Sequence, residues 1–139
     1  MNGVSIFQAL SIFTFATGTA LTLAGAPASG EASLKNTPFS YGEDFPDLEA
    51  SCEDIRNWAA KAPDTHVRFN LAIKGKLSRV SSDGALVYLA MCEEPNPKIT
   101  CVTYSRNGMS AGDVVTFAGG YRRLDAEKIV LDPCLASRK

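Results

Sequence analysis

The clearest pattern in the chain lies at its centre. Between His66 and Lys74, Val67, Phe69, Leu71 and Ile73 alternate with Arg68, Asn70, Ala72 and Lys74. Period two of this kind predicts a strand with one face buried. Gly75 follows and the run continues through Lys76-Leu77; a glycine inside a strand marks a bulge or a sharp bend. Ser81-Ser82-Asp83-Gly84 reads as a turn. Four further runs come after it: Ala85 to Cys92, Lys98 to Tyr104, Val114 to Tyr121 and Lys128 to Leu131. The first of these is apolar through most of its length, as expected of a strand with little exposed surface. Between them lie Glu93-Glu94-Pro95-Asn96-Pro97 and the Gly-containing stretch Ser105 to Asp113, both read as loops.

Upstream of His66 the period changes. Leu48, Cys52, Ile55, Trp58 and Ala59 recur at helical spacing, with Glu49, Glu53 and Arg56 left to water. Pro46 suits a first turn, and Asp44 and Asp47 suit its positive end. The spacing predicts one amphipathic helix over about 47–61 that covers the core with Ile55 and Trp58; a partner-binding helix is the functional alternative. Residues 29–44 show no apolar period and read as a flexible lead-in.

The first thirty residues differ in kind. No charged side chain occurs before Glu31, and Val4 to Phe15 is apolar. The small-residue sequence Ala24-Gly25-Ala26-Pro27-Ala28 follows. An apolar run that ends in small residues predicts a secretory signal over 1–28, despite the absence of Lys or Arg at its start. An uncleaved segment would instead anchor the protein in a membrane, since the stretch is about long enough to span one.

With the leader set aside, all four cysteines fall in the remainder, at 52, 92, 101 and 134. None forms a C-x-x-C pair, and His66 is the single histidine. Zinc ligation is therefore poorly served, and two disulfides in an oxidising compartment, periplasmic or secreted, are expected. Four cysteines allow three complete pairings. The chain carries 14 Lys and Arg against 15 Asp and Glu, but unevenly. Residues 31–64 hold eight acids and three bases, and residues 65–139 hold seven acids and eleven bases.

Five strands, the first bent at a glycine, predict a mainly β fold in which that strand pairs with two neighbours and closes a five-stranded Greek-key barrel. Ile73-Lys74-Gly75-Lys76-Leu77, Val87-Tyr88-Leu89, Thr100-Cys101-Val102, Gly112-Asp113-Val114-Val115 and Ile129-Val130-Leu131, ending in Asp132-Pro133-Cys134, carry a resemblance. Together they resemble an OB-fold, and more narrowly the exported bacterial OB proteins similar to tRNA anticodon-binding domains. The resemblance spans about 66–134, within a domain expected over 45–139. Cys52, Cys92 and the intervening Pro133 depart from its pattern. A small β-sandwich is the alternative. The barrel arrangement implies disulfides Cys92–Cys101, across a hairpin, and Cys52–Cys134.

OB-folds bind through the face of their second and third strands and the adjoining loops. On this resemblance the candidate ligand-binding residues are Lys74, Lys76, Arg79, Tyr88, Tyr104, Tyr121, Arg122 and Arg123. The bases would hold a phosphate backbone or an anionic glycan, and the tyrosines would stack on bases. Equally, they can be solvated edge residues and half-buried core tyrosines. No H-E-x-x-H, phosphate-binding loop, G-x-S-x-G or dinucleotide motif occurs, so neither an enzyme nor a cofactor is expected. The expected function is a non-catalytic exported binding module for single-stranded nucleic acid or an anionic oligosaccharide. The other class is a structural or protein-interaction component of the cell envelope.

Overall fold

A computed structural model of the chain describes residues 33–138; the leader expected over 1–28 lies outside them. Seven strands and one helix follow in order: β1 Phe39–Tyr41, β2 Ala50–Ser51, α1 Ile55–Ala60, β3 Phe69–Ser82, β4 Val87–Met91, β5 Lys98–Thr103, β6 Val114–Asp125 and β7 Lys128–Arg138. The five long strands run in the spatial order β3-β4-β5-β7-β6, and β6 pairs back onto β3. The sheet is thus a closed five-stranded barrel, with β5 and β7 parallel. This is the OB-fold arrangement, and closure of β6 on Asn70–Lys76 sets the sandwich aside.

The alternation predicted from His66 onward is what turns Leu71, Ile73 and Leu77 into the core, all essentially inaccessible. Each such side chain contributes about 2 kcal/mol by leaving water. β3 changes partner at its glycine. Lys76 still pairs with Val114 of β6, and Leu77 already pairs with Met91 of β4. A Cβ on Gly75 would stand 3.0 Å from Met91 Sδ and 3.1 Å from Cys52 Sγ, so a side chain at the bend would press on both.

The region before the barrel departs from expectation. Residues 39–41, inside the expected lead-in, form β1 antiparallel to β3, so the folded unit begins before residue 45. Phe39 is 2% exposed, edge-on to Phe69, Tyr121 and Trp58. Three residues are too few to show a period, which hides this strand from pattern reading. The helix is shorter than 47–61. Leu48 is exposed, and Ala50–Ser51 pair with β3 as β2. A reciprocal link separates them from α1: the Ser51 amide donates to Asp54 Oδ1 (2.7 Å), and the Asp54 amide donates to Ser51 Oγ (3.3 Å). A reciprocal pair of this kind marks the start of a helix, so α1 begins after it and not at residue 47. Ile55 and Ala59 are buried and Trp58 half-buried, as the helical spacing requires.

The disulfides are Cys52–Cys92 and Cys101–Cys134, with Cα separations of 5.2 and 5.4 Å; the expected Cys92–Cys101 and Cys52–Cys134 are not formed. Cys101 stands opposite Leu89, not Cys92. The two cysteines differ in level by three residues, about 10 Å along a strand. Cys134 reaches Cys101 because of a bulge. Gly119 pairs with Cys134 and Tyr121 with Leu131, so one residue of β6 faces two of β7. That extra residue reverses the alternation beyond Leu131. Asp132 and Pro133 are exposed, and Cys134 turns inward to 4% exposure.

Candidate binding surface

A second bulge builds the outer face. Leu77 pairs with Met91 but Arg79 with Ala90, which leaves Ser78 as the extra residue, its hydroxyl donating to the Ala90 carbonyl (3.1 Å). Strict alternation from Leu77 would point Arg79 into the core; the bulge points it out. From there one row of paired residues crosses the barrel: Arg79, Ala90, Thr100, Val130 and Arg122. Directly paired residues share a face, so two exposed arginines bracket a low, small-residue saddle. Four strand steps separate them, about 19 Å along the arc.

One row away, Ser81, Tyr88 and Val102 are paired in the same sense. The Tyr88 hydroxyl donates to Asp83 Oδ2 (2.7 Å). Asp83 also accepts from the amides of Ala85 and Leu86 in the hairpin turn. The Leu86 amide, then the Tyr88 hydroxyl and the Ala85 amide, hold the Asp83 carboxyl at about 2. The same contact, with help from Asp132, raises Tyr88 above its ordinary phenol value. The phenol is thereby fixed on the face. On the other side of the arginine row Lys98 and Lys128 are paired and exposed. Glu127, beside Lys128, is held by a two-pronged contact from Arg56 at 3.0 Å to each oxygen, so its charge is met locally. Glu93 and Glu94 share the adjoining hollow of about 430 Å³. Arg79, Lys98, Arg122 and Lys128 thus frame the outer face of β4, β5 and β7, with Asp83 and Asp132 beyond Tyr88.

Of the eight residues singled out from sequence, this face gathers Arg79, Tyr88 and Arg122. Lys74 and Lys76 precede the bend and stand opposite Thr116 and Val114 on the β3–β6 side, lining a separate hollow with Cys52 and Cys92. Arg123 pairs with Ile129, on the opposite parity from Arg122, and its Nε donates to the Asp125 carbonyl. Tyr121 belongs to the core margin. Its ring stacks on Phe69 at 5.1 Å and meets Phe39 edge-on. Its phenol oxygen is buried with no partner among the described residues, and burial pushes its ionisation up. Lys98 and Lys128 were legible as the bases that open the third and fifth apolar runs, but their adjacency follows only from parallel pairing.

Tyr104 lies elsewhere, 82% exposed, in a cleft of about 530 Å³. The cleft forms where β5 ends at Thr103 while β7 runs on to Arg138. Phe45, at 71%, and Leu135, at 66%, face the same space, and Ala118 and Gly119 lie at its base. Arg68 also borders it, its guanidinium donating to the Asp132 carbonyl (2.9 Å). Nothing in the sequence pattern marked Phe45, Arg68 or Leu135. Among the described residues no three His, Cys, Asp or Glu side chains gather as a metal site, and no helix is long and apolar enough to cross a membrane.

No protein-family model matches the sequence, and no curated protein matches it. Among solved structures, one that it resembles is the crystal structure of the S. pombe Stn1–Ten1 complex, at 16% identity and a TM-score of 0.38. The alignment covers 52% of this chain and 60% of that one. The fold assignment rests on the strand order and closure of the barrel, not on this likeness.

Proposed function

We propose that this protein is an exported, non-catalytic binding module that takes an extended anionic polymer across the outer face of β4, β5 and β7, single-stranded nucleic acid being the best fit. One observation carries the reading: the paired row Arg79–Ala90–Thr100–Val130–Arg122, with cations at both ends and uncharged residues between. Lys98 and Lys128 on one side and the immobilised Tyr88 on the other complete a surface with charges for phosphates and a ring for a base. This is also where OB barrels bind. Two disulfides are compatible with an oxidising compartment and support export.

The test is retention of the folded protein on immobilised oligo(dT) and on heparin as salt rises. Arg79→Ala with Arg122→Ala is expected to weaken binding about tenfold or more and to lower the salt slope by about two contacts. Tyr88→Ala should weaken oligo(dT) alone, because only bases offer a ring to stack on. Heparin binding that responds to the arginines but not to Tyr88 would place an anionic glycan there instead. Retention identical in wild type and the double variant refutes the basic face and favours the envelope-interaction class.

A further inference from the structure

The apolar cleft borders the basic face at Val102 but is lined by none of its four cations. Pairing between β5 and β7 ends at Cys101 with Leu131. Beyond it β7 continues to Arg138 bonded on one side only, to Val115–Gly119 of β6. Its other edge, from Leu135 to Ser137, has no strand partner among the described residues. An unpaired edge of this kind presents backbone donors and acceptors at strand spacing, and proteins ordinarily cover or charge it. Here it is flanked by three exposed apolar side chains, Phe45, Tyr104 and Leu135. These are large residues with no intramolecular reason to share one hollow. On the loop that carries Phe45, Glu43 and Asp44 are exposed, and neither carboxylate is paired among the described residues. Arg68 is the cation facing the cleft, turned onto the Asp132 carbonyl.

We propose that this cleft docks a segment of a partner polypeptide as an added strand on the open edge of β7. One apolar side chain of the segment enters the space between Phe45, Tyr104 and Leu135, and a basic residue beside it faces Glu43 and Asp44. Main-chain bonds to the edge supply affinity, and the hollow selects the side chain. A free small apolar ligand would use the hollow but not the edge. A nucleic acid would be repelled by the two carboxylates. An extended peptide with a basic flank satisfies edge, hollow and charge together.

The probe is a panel of peptides of about six residues, the usual strand length, in which Thr alternates with Val, Leu, Phe or Tyr, ended by Arg or by Ser. Binding to the full domain is read by fluorescence anisotropy, and its place by backbone amide shifts. At least one Arg-ended peptide is expected to bind saturably and to shift the amides of Leu135, Ala136 and Ser137. N-methylation of the peptide amides on alternate residues, or Tyr104→Ala in the protein, should each weaken it about tenfold. Tyr104 is exposed, so its loss leaves the fold intact. Glu43→Gln with Asp44→Asn should erase the preference for Arg-ended over Ser-ended peptides. Arg79→Ala with Arg122→Ala should leave peptide affinity unchanged, which separates this site from the basic face. No binding by any member at millimolar concentration overturns the proposal. So does equal binding of the N-methylated peptide, or shifts that fall on the basic face.

Discussion

The Cys101–Cys134 bridge is expected to stabilise the barrel more than Cys52–Cys92, although it closes the shorter loop. The separations are 33 and 40 residues. Chain-entropy arithmetic assigns about 3.7 and 3.9 kcal/mol to loops of these lengths. Surroundings reverse the order. Cys101 is inaccessible and Cys134 is 4% exposed, both within the core. Removal of two buried sulfurs leaves methyl-sized voids at about 1 kcal/mol each. Cys92, 6% exposed, leaves one such void, but Cys52 is only partly buried and its loss adds less. C101A/C134A should therefore cost about 6 kcal/mol and C52A/C92A about 5 kcal/mol, against a total of about 5–15 kcal/mol for a domain of this size. In urea, with a slope near 2 kcal/mol/M, the first change moves the midpoint by about 3 M. The single tryptophan, Trp58, sits in α1, which Cys52–Cys92 ties to the end of β4. In C52A/C92A the Trp58 fluorescence transition should precede the far-UV circular dichroism transition. In C101A/C134A the two should coincide. The pairing itself can be read directly, because trypsin places each cysteine on its own peptide: 36–56, 80–98, 99–106 and 129–138. A non-reduced 80–98 to 99–106 link, or a loss under about 1 kcal/mol for C101A/C134A, refutes the reasoning.

Two further outcomes follow from the same geometry. Gly119→Ala puts a Cβ 2.3 Å from the Pro133 carbonyl oxygen and 2.8 Å from Cys134 Cα, both backbone atoms. It should cost about 3 kcal/mol, whereas Gly75→Ala, meeting the Met91 and Cys52 side chains at 3.0 and 3.1 Å, should cost about 1 kcal/mol; thermal melts that invert this order contradict the bulge. Asp83 should titrate near pH 2 by carboxyl NMR. Its pKa is depressed, so its contribution is complete above the ordinary carboxylate range and disappears as pH falls through about 2. Asp83→Asn should flatten that acid limb and bring the Tyr88 ionisation down toward its ordinary value, and an unmoved Tyr88 would count against the contact.

How much of this was legible depends on range. The alternation at Phe69, Leu71 and Ile73 is local, and so is the glycine that lets β3 serve two neighbours; both carried through to the barrel, although the strand begins only at Phe69 and leaves Val67 62% exposed. β1 was hidden because Phe39–Tyr41 is too short for a period and is held by tertiary ring contacts with Phe69, Tyr121 and Trp58. Leu48 and Cys52 happen to continue the spacing of Ile55 and Trp58, which carries the expected helix too far upstream, while the Ser51–Asp54 link sets its true start. Tyr121 and Arg122 are adjacent in sequence, yet one fills the core margin and the other faces out.

Two placements on the barrel turn on bulges. Period-two reading assigns faces by counting, and a single extra residue inverts every later assignment. Ser78 inverts β3, which takes Arg79 out of the core and makes it the first member of the basic row. The Asp132–Pro133 step inverts β7, which takes Cys134 into the core and joins it to Cys101. Neither inversion is a matter of stability alone. Without the first, the saddle has a cation at one end only. Without the second, Leu135 turns inward and the apolar cleft loses a wall. The two bulges therefore place both candidate binding surfaces on a barrel whose closure is independent of them, so loss of either bulge should abolish one surface while leaving the strand order unchanged.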